Sequence, residues 1–206
     1  MSDLWKRLRF VLGCIIVYRI GTHIPIPGID PVRVSSLFDQ NQGTILELFN
    51  LFSGGALERM SIFALNVVPY ISAAIIMQLF SNAIPYLIEL KKEGQAGRNA
   101  ITQYTRYGTV ALAFVQASAL AVTLSSSGLA YNPGTSFFVT AVFTVVAGTV
   151  FLMWLGEQIS ERGIGNGISI IIATSILTGI PGAIGQALEQ ARQGDLNILM
   201  LLSIGV

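Results

Sequence analysis

The stretch "YGTVALAFVQASALAVTLSSSGLAYNPGTSFFVTAVFTVVAGTVFLMWLG", residues 107–156, contains no Asp, Glu, Lys or Arg. A helix crossing the hydrocarbon core of a bilayer needs about 20 apolar residues. This run holds two such helices, with a turn near "SSSGLAYNPG", residues 125–134, where serine, glycine and proline interrupt the apolar pattern. Charge is also missing from Met60 to Ile88 and from Gly163 to Leu188. Over the 206 residues 52% are hydrophobic and 11% are charged, against about 25% charged in soluble domains. The chain therefore reads as an all-α, polytopic helical membrane protein.

Spans are expected near residues 10–29, 60–80, 107–126, 135–156 and 166–181. A sixth begins in "LNILMLLSIGV", residues 196–206, and stops after about half a bilayer of apolar residues. A helix ending there in lipid leaves carbonyls unsatisfied, at several kcal/mol each, so the chain is expected to be the N-terminal part of a longer protein. The first run leads into "THIPIPGID" without a small-residue cleavage site, which favours a retained span over a signal peptide.

Basic residues orient the spans. Lys6, Arg7 and Arg9 precede the first, and Lys91, Lys92, Arg98 and Arg106 lie between the second and third. The intervening segment 30–59 has only Arg33 and Arg59. The positive-inside rule then puts the N-terminus and the loop 87–106 in the cytosol. That loop, "LIELKKEGQAGRNAITQYTRYG" over 87–108, is read as a hydrated basic anchor or a docking loop for a cytosolic partner or lipid head groups, with Gly94 and Gly97 breaking any continuous helix.

Catalytic chemistry is not expected. The long apolar runs hold neither a Ser–His pair nor two aspartates at membrane depth, and His23 is the only histidine. No cysteine metal site or disulfide can form around the single Cys14. "GIGNG", residues 163–167, has no preceding strand and no following Lys-Ser/Thr, so it is not a phosphate loop. No cofactor, metal, nucleotide or direct nucleic-acid site is expected. Arg19 is the only charge inside an expected span, and a structural role is favoured for it. Asn66, Gln78 and Gln116 are read as interhelical hydrogen-bond formers or as a polar seam between the second and third spans. Pro69 is expected to bend the second span.

One segment fits none of these roles. "GTILELFNLFSGGALERM", residues 43–60, is too apolar for a surface loop and is broken by Gly54 and Gly55. Thr44 and Glu47 match a capping box. A helix over residues 44–59 would be amphipathic and about 24 Å long, short of the roughly 30 Å core. It reads as an interfacial helix on the outer leaflet or as a re-entrant plug, the glycine pair tilting towards the plug.

Several longer motifs carry a family resemblance. "IPIPGID" (24–30), "FNLFSGGALERMSIFAL" (49–65), "PYISAAIIMQL" (69–79), "IELKKEGQAGRNAITQYTRYGT" (88–109), "FLMWLGEQISERGIGNGISIII" (151–172) and "LEQARQGD" (188–195) make the chain similar to the SecY family, channel subunits of the bacterial Sec protein translocon. The resemblance implies the N-terminal half of a ten-span channel with a short re-entrant plug helix. It implies passage of unfolded secretory chains and lateral release of transmembrane segments in the bacterial inner membrane. Carried over residue by residue, it implies a pore ring at Val67, Ile71, Ile168 and Ile172, and a lateral-gate position at Gln116. The plug includes Thr44, Glu47, Phe49, Phe52, Ser53, Gly54 and Gly55, and the cytosolic basic loop includes Lys91, Lys92, Arg98 and Arg106. Asn66 departs from the pattern, standing where family members carry a small or apolar residue. Implied partners are SecE and SecG subunits, the SecA motor ATPase or the ribosome, signal peptides and nascent chains, and membrane lipids.

Two other classes remain open on the residues alone. A secondary transporter with a discontinuous helix requires polar or charged ligands near the midplane, and the spans offer only Arg19 and neutral amides. A non-conducting membrane scaffold requires the 44–58 segment to matter only for folding.

Overall fold

A computed structural model describes residues 2–40, 50 and 53–192. Among them are seven helices: α1 (Ser2–Gly21), α2 (Pro31–Gln40), α3 (Val68–Ala83), α4 (Pro85–Lys92), α5 (Gln95–Ser126), α6 (Thr135–Arg162) and α7 (Gly167–Arg192). No β-strand occurs among the described residues, only isolated bridges at Pro25–Ser61 and Ile29–Ala130.

Helices α5 and α6 are each long and apolar enough to cross a membrane. They pack on each other, and α5 also packs on α3. α3 and α4 satisfy the same criterion only together, and they meet at 94°. The break lies at Ile84, extended at φ −93 and ψ 119 before Pro85, as expected for a residue preceding proline. In α7 the apolar part Gly167–Gly179 is shorter than a span.

Several boundaries differ from the expected ones for identifiable reasons. α1 covers residues 2–21, earlier than 10–29, because Pro25 and Pro27 lack the N–H a helix would need. The "IPIPGID" segment instead forms a non-helical stretch that turns at Pro27 and Gly28, with Ile26 and Ile29 buried beside Leu124, Leu129 and Phe137. Backbone bonds tie it to two neighbours: Ile26 N–H to Met60 O at 2.8 Å, and Asp30 N–H to Leu129 O at 3.0 Å. Asp30 Oδ1 then accepts from the N–H groups of Val32 and Arg33, which starts α2.

The helix expected from residue 60 begins only at Val68, and Pro69 lies in its first turn. At that position a missing N–H costs nothing, so Pro69 starts α3 instead of bending it. The basic loop 87–106 is mostly helical, formed by α4 and the start of α5. The chain breaks at Gly94, whereas Gly97 is helical and packed against the Leu90 carbonyl. The helix of the span expected near 166–181 continues as α7 without a break to Arg192.

Phe63 fixes how the 60s segment meets the bundle. Its ring stacks on Tyr18 of α1 and on Phe151 of α6, with centroids 5.9 Å apart in both pairs. Gly148 allows this approach: a Cβ there would lie 2.0 Å from the Ile62 carbonyl oxygen. Gly148→Val is therefore expected to destabilise the fold by roughly 1–3 kcal/mol through overpacking. A thermal melt in detergent checks this, with Gly13→Ala, whose Cβ meets nothing within 4 Å, as the control that keeps its melting temperature.

Candidate functional site

The site is the junction where the end of the short 50s segment meets α1, α3 and α7. Thr44, Glu47, Phe49 and Phe52 lie outside the described residues. From Asn50 and Ser53 onward the chain folds on itself. Ser53 Oγ donates to Asn50 O at 2.9 Å and accepts from Leu57 N–H at 3.1 Å. Asn50 holds Glu58 twice, by Oδ1 to its N–H and by Nδ2 to its carboxylate. The helix expected to reach Arg59 stops at Ser53, because Gly54 and Gly55 adopt φ +65 and +79. Only glycine enters that region freely.

Two bonds attach this turn to its surroundings, and two more extend the network to α7. Arg19 Nη1 donates to Gly54 O at 3.1 Å. Tyr18 Oη bonds to Ser53 O at 3.4 Å and to Ser175 Oγ of α7 at 2.5 Å. Asn66 Nδ2 donates to the same Ser175 Oγ at 3.4 Å. Tyr18, Ser53, Asn66 and Ser175 are all buried. A Cβ on Gly54 would stand 3.2 Å from both Cα and O of Ser175, so the turn touches the α7 backbone. Asn66 itself has φ 49, a conformation asparagine adopts more readily than the apolar residues the family pattern implies.

Next to this polar cluster lies an apolar one. Val67 and Ile171 are buried there with Ala56 and Phe63, and Ile71, Ile168 and Ile172 pack against them half-buried. The four expected ring residues thus belong to a single cluster. Val67 is the N-cap residue of α3 and Ile71 lies one turn further on, while Ile168 abuts Gly156 of α6.

Other expected positions lie apart from it. Gln116 is half-buried on α5. Gln78 lines a cavity of about 410 Å³ with Tyr70, Ser81, Lys91 and Arg98. Lys91 donates to Asn82 at 3.3 Å, and Lys92 is exposed. Arg106 forms a fork with Glu157 of α6, both bonds 2.7 Å long. It therefore ties two helices together instead of extending the free basic surface.

Reading the sequence did not single out Tyr18 or Ser175. Both are polar groups inside apolar runs, the feature that did single out Arg19. A hydroxyl bridging two elements 157 residues apart leaves no local pattern.

The described residues form a bundle of apolar helices around a short, hydrogen-bonded, glycine-ended segment, and two of the helices are long and apolar enough to cross a membrane. The SecY family model matches residues 61–206. The chain is 61% identical over 206 residues to the protein translocase subunit SecY of Pseudomonas aeruginosa, covering all of this chain and 47% of that one. It is 57% identical over 210 residues to the Escherichia coli K12 subunit, again covering all of this chain and 47% of that one. The chain thus spans about half the length of these relatives. Among solved structures, Sec61 in the canine ribosome–channel complex from the endoplasmic reticulum aligns with a TM-score of 0.67 at 20% identity, over 95% of this chain and 43% of that one. A SecY structure whose plug domain is described as stabilising the closed state aligns at 0.64 and 21% identity, over 95% and 42%. The chain belongs to the SecY family, and it is a multi-pass membrane protein.

Tyr18→Phe removes the hydroxyl that joins the Ser53 carbonyl to Ser175. Loss of one neutral buried hydrogen bond is worth about 1 kcal/mol, or roughly fivefold in a local opening equilibrium. Amide hydrogen exchange over residues 53–59 should accelerate by about that factor while the centres of α5 and α6 stay protected.

Proposed function

We propose that this chain is the N-terminal half of a protein-conducting channel that passes unfolded secretory chains across a membrane and releases transmembrane segments sideways into it. The observation that carries this reading is the junction at Gly54. A short segment ends there on two hydrogen bonds, from Tyr18 and Arg19, next to the apolar cluster that holds Val67, Ile71, Ile168 and Ile172. In this reading the segment 44–59 is the plug and the β-branched side chains are the ring. Such side chains close around a moving chain without recognising its sequence, and an empty apolar constriction dewets. The plug is held by one neutral bond, from Tyr18, and one from the Arg19 guanidinium, which can break and re-form as the channel opens.

The rest of the reading follows the family. The role is conduction, not catalysis. The membrane is the bacterial cytoplasmic membrane, with the N-terminus cytosolic, as the basic residues in the first half of α1 and around α4 support. Partners are SecE and SecG, with SecA or the ribosome on the cytosolic face. Gln116 on α5 borders the lateral gate. Lys91, Lys92 and Arg98 form the basic cytosolic surface.

Deleting residues 44–58 should raise ion conductance across the membrane while export of a secretory protein continues. A stably expressed deletion mutant with no added leak would overturn the plug assignment. Cysteines placed at Ile71 and Ile172 should crosslink to a secretory chain arrested in transit, and the absence of a crosslink at both would remove them from the ring.

A further inference from the structure

Two buried hydroxyls at the junction face more acceptors than they have protons. Tyr18 Oη lies 3.4 Å from the Ser53 carbonyl oxygen and 2.5 Å from Ser175 Oγ. Ser175 Oγ also lies 2.9 Å from the Ile171 carbonyl oxygen, one turn back along α7. Each hydroxyl has a single proton to donate. Tyr18 and Ser175 are 1% and 0% exposed, so solvent does not reach either group while the turn is seated.

Two arrangements keep a proton between the two hydroxyl oxygens. In the first, Ser175 donates to Tyr18, and Tyr18 donates to Ser53 O. In the second, both hydroxyls have rotated: Tyr18 donates to Ser175, and Ser175 donates to Ile171 O. No proton leaves its oxygen. Asn66 Nδ2 donates to Ser175 Oγ in both, because that oxygen has two lone pairs. Neither carbonyl depends on the exchange. Ser53 O also accepts from Ala56 N–H at 3.3 Å, and Ile171 O lies inside α7, where the helical ladder serves it.

We propose that Ser175 is a positioning residue for the plug, acting through Tyr18: it accepts the Tyr18 proton when the turn at Ser53 and Gly54 leaves its seat. The inference rests on the reading of residues 44–59 as a plug. The first arrangement holds the seated turn. When the Ser53 carbonyl moves away, the Tyr18 hydroxyl loses its acceptor, and a buried donor without a partner is costly. Rotation into the second arrangement removes that cost, because Ser175 accepts from Tyr18 and turns its own proton to Ile171 O. Ser175 therefore eases unseating, although it belongs to the seated network. Its place suits the role: a Cβ on Gly54 would stand 3.2 Å from Ser175 Cα and O, so the departing turn moves directly away from this residue.

The two hydroxyls thus have opposite effects on the same opening. Tyr18→Phe removes a bond that holds the turn. Ser175→Ala leaves that bond and removes the acceptor that Tyr18 needs afterwards. The protein is expressed from its own gene with any sequence flanking residues 1–206, and amide hydrogen exchange is followed in mild detergent. Exchange over residues 53–59 should slow by roughly fivefold in Ser175→Ala and accelerate in Tyr18→Phe. The double variant should exchange like Tyr18→Phe alone, because a residue that acts through Tyr18 has no effect once the hydroxyl is gone. The centres of α5 and α6 should stay protected in all three. Unchanged or faster exchange in Ser175→Ala would overturn the proposal, and so would an effect of Ser175→Ala that persists in the Tyr18→Phe background. Exchange is read whether or not the protein conducts, so this outcome is separate from the leak of the 44–58 deletion, which decides the plug assignment itself.

Discussion

Between Gly54 and Val67 the chain crosses the interior of the bundle without a regular helix, and its peptide groups must find partners there. Backbone polar groups out of reach of water are costly unless bonded, and in a membrane protein non-helical segments survive only inside protein or a wet cavity. The segment meets this constraint in two ways. Its own turns close on themselves, as Ala56 N–H does on Ser53 O and Ser61 N–H on Ala56 O. Two of its carbonyls at the start also meet side chains from α1, Tyr18 at Ser53 and Arg19 at Gly54. The edges of the segment bond to the "IPIPGID" stretch through Met60 and Ile62.

Packing supports the same segment from the other side. Phe63 stands between Tyr18 and Phe151, and Gly148 brings α6 close enough for the stack to form. The result is a division of labour along a few residues. Residues 60–66 are held by aromatic packing and several backbone bonds. Residues 53–55 are held by a few mostly neutral hydrogen bonds and by a glycine contact with α7. Individual neutral bonds of this kind contribute about 1 kcal/mol, less than the packing around Phe63 supplies to residues 60–66.

The bundle around this junction is stiffened where helices meet the water-facing ends. The Arg106–Glu157 fork joins α5 to α6, and Arg7 Nη1 caps the end of α6 at Gly163 O with a 3.2 Å bond. Both use charge where solvent is near. Among the fully buried residues of the junction, Tyr18, Ser53, Asn66 and Ser175, the contacts rely on hydroxyls and amides instead, and the half-buried Arg19 is the charged group beside them, in line with the high cost of burying an ion.

What the sequence alone determined was set by composition over many consecutive residues. The uncharged run 107–156 dictates α5 and α6, because only a helix satisfies its own backbone in lipid. The glycine pair at 54–55 marks the end of a short helix, because φ above zero strains other residues, and "IPIPGID" marks the end of α1, because proline lacks the N–H. What only the tertiary structure decided depends on groups distant in the chain. Pro69 could bend a helix or begin one, and the burial of residues 60–67 against α1 and α6 made it begin α3. Arg106 looked like one more basic surface residue until α6 brought Glu157 within 2.7 Å. Tyr18, Asn66 and Ser175 acquire a shared role only when α1, α3 and α7 converge. Periodicity and composition are local and additive, so they can be read along the chain; a hydrogen bond between residues more than a hundred positions apart exists only once packing has brought them together.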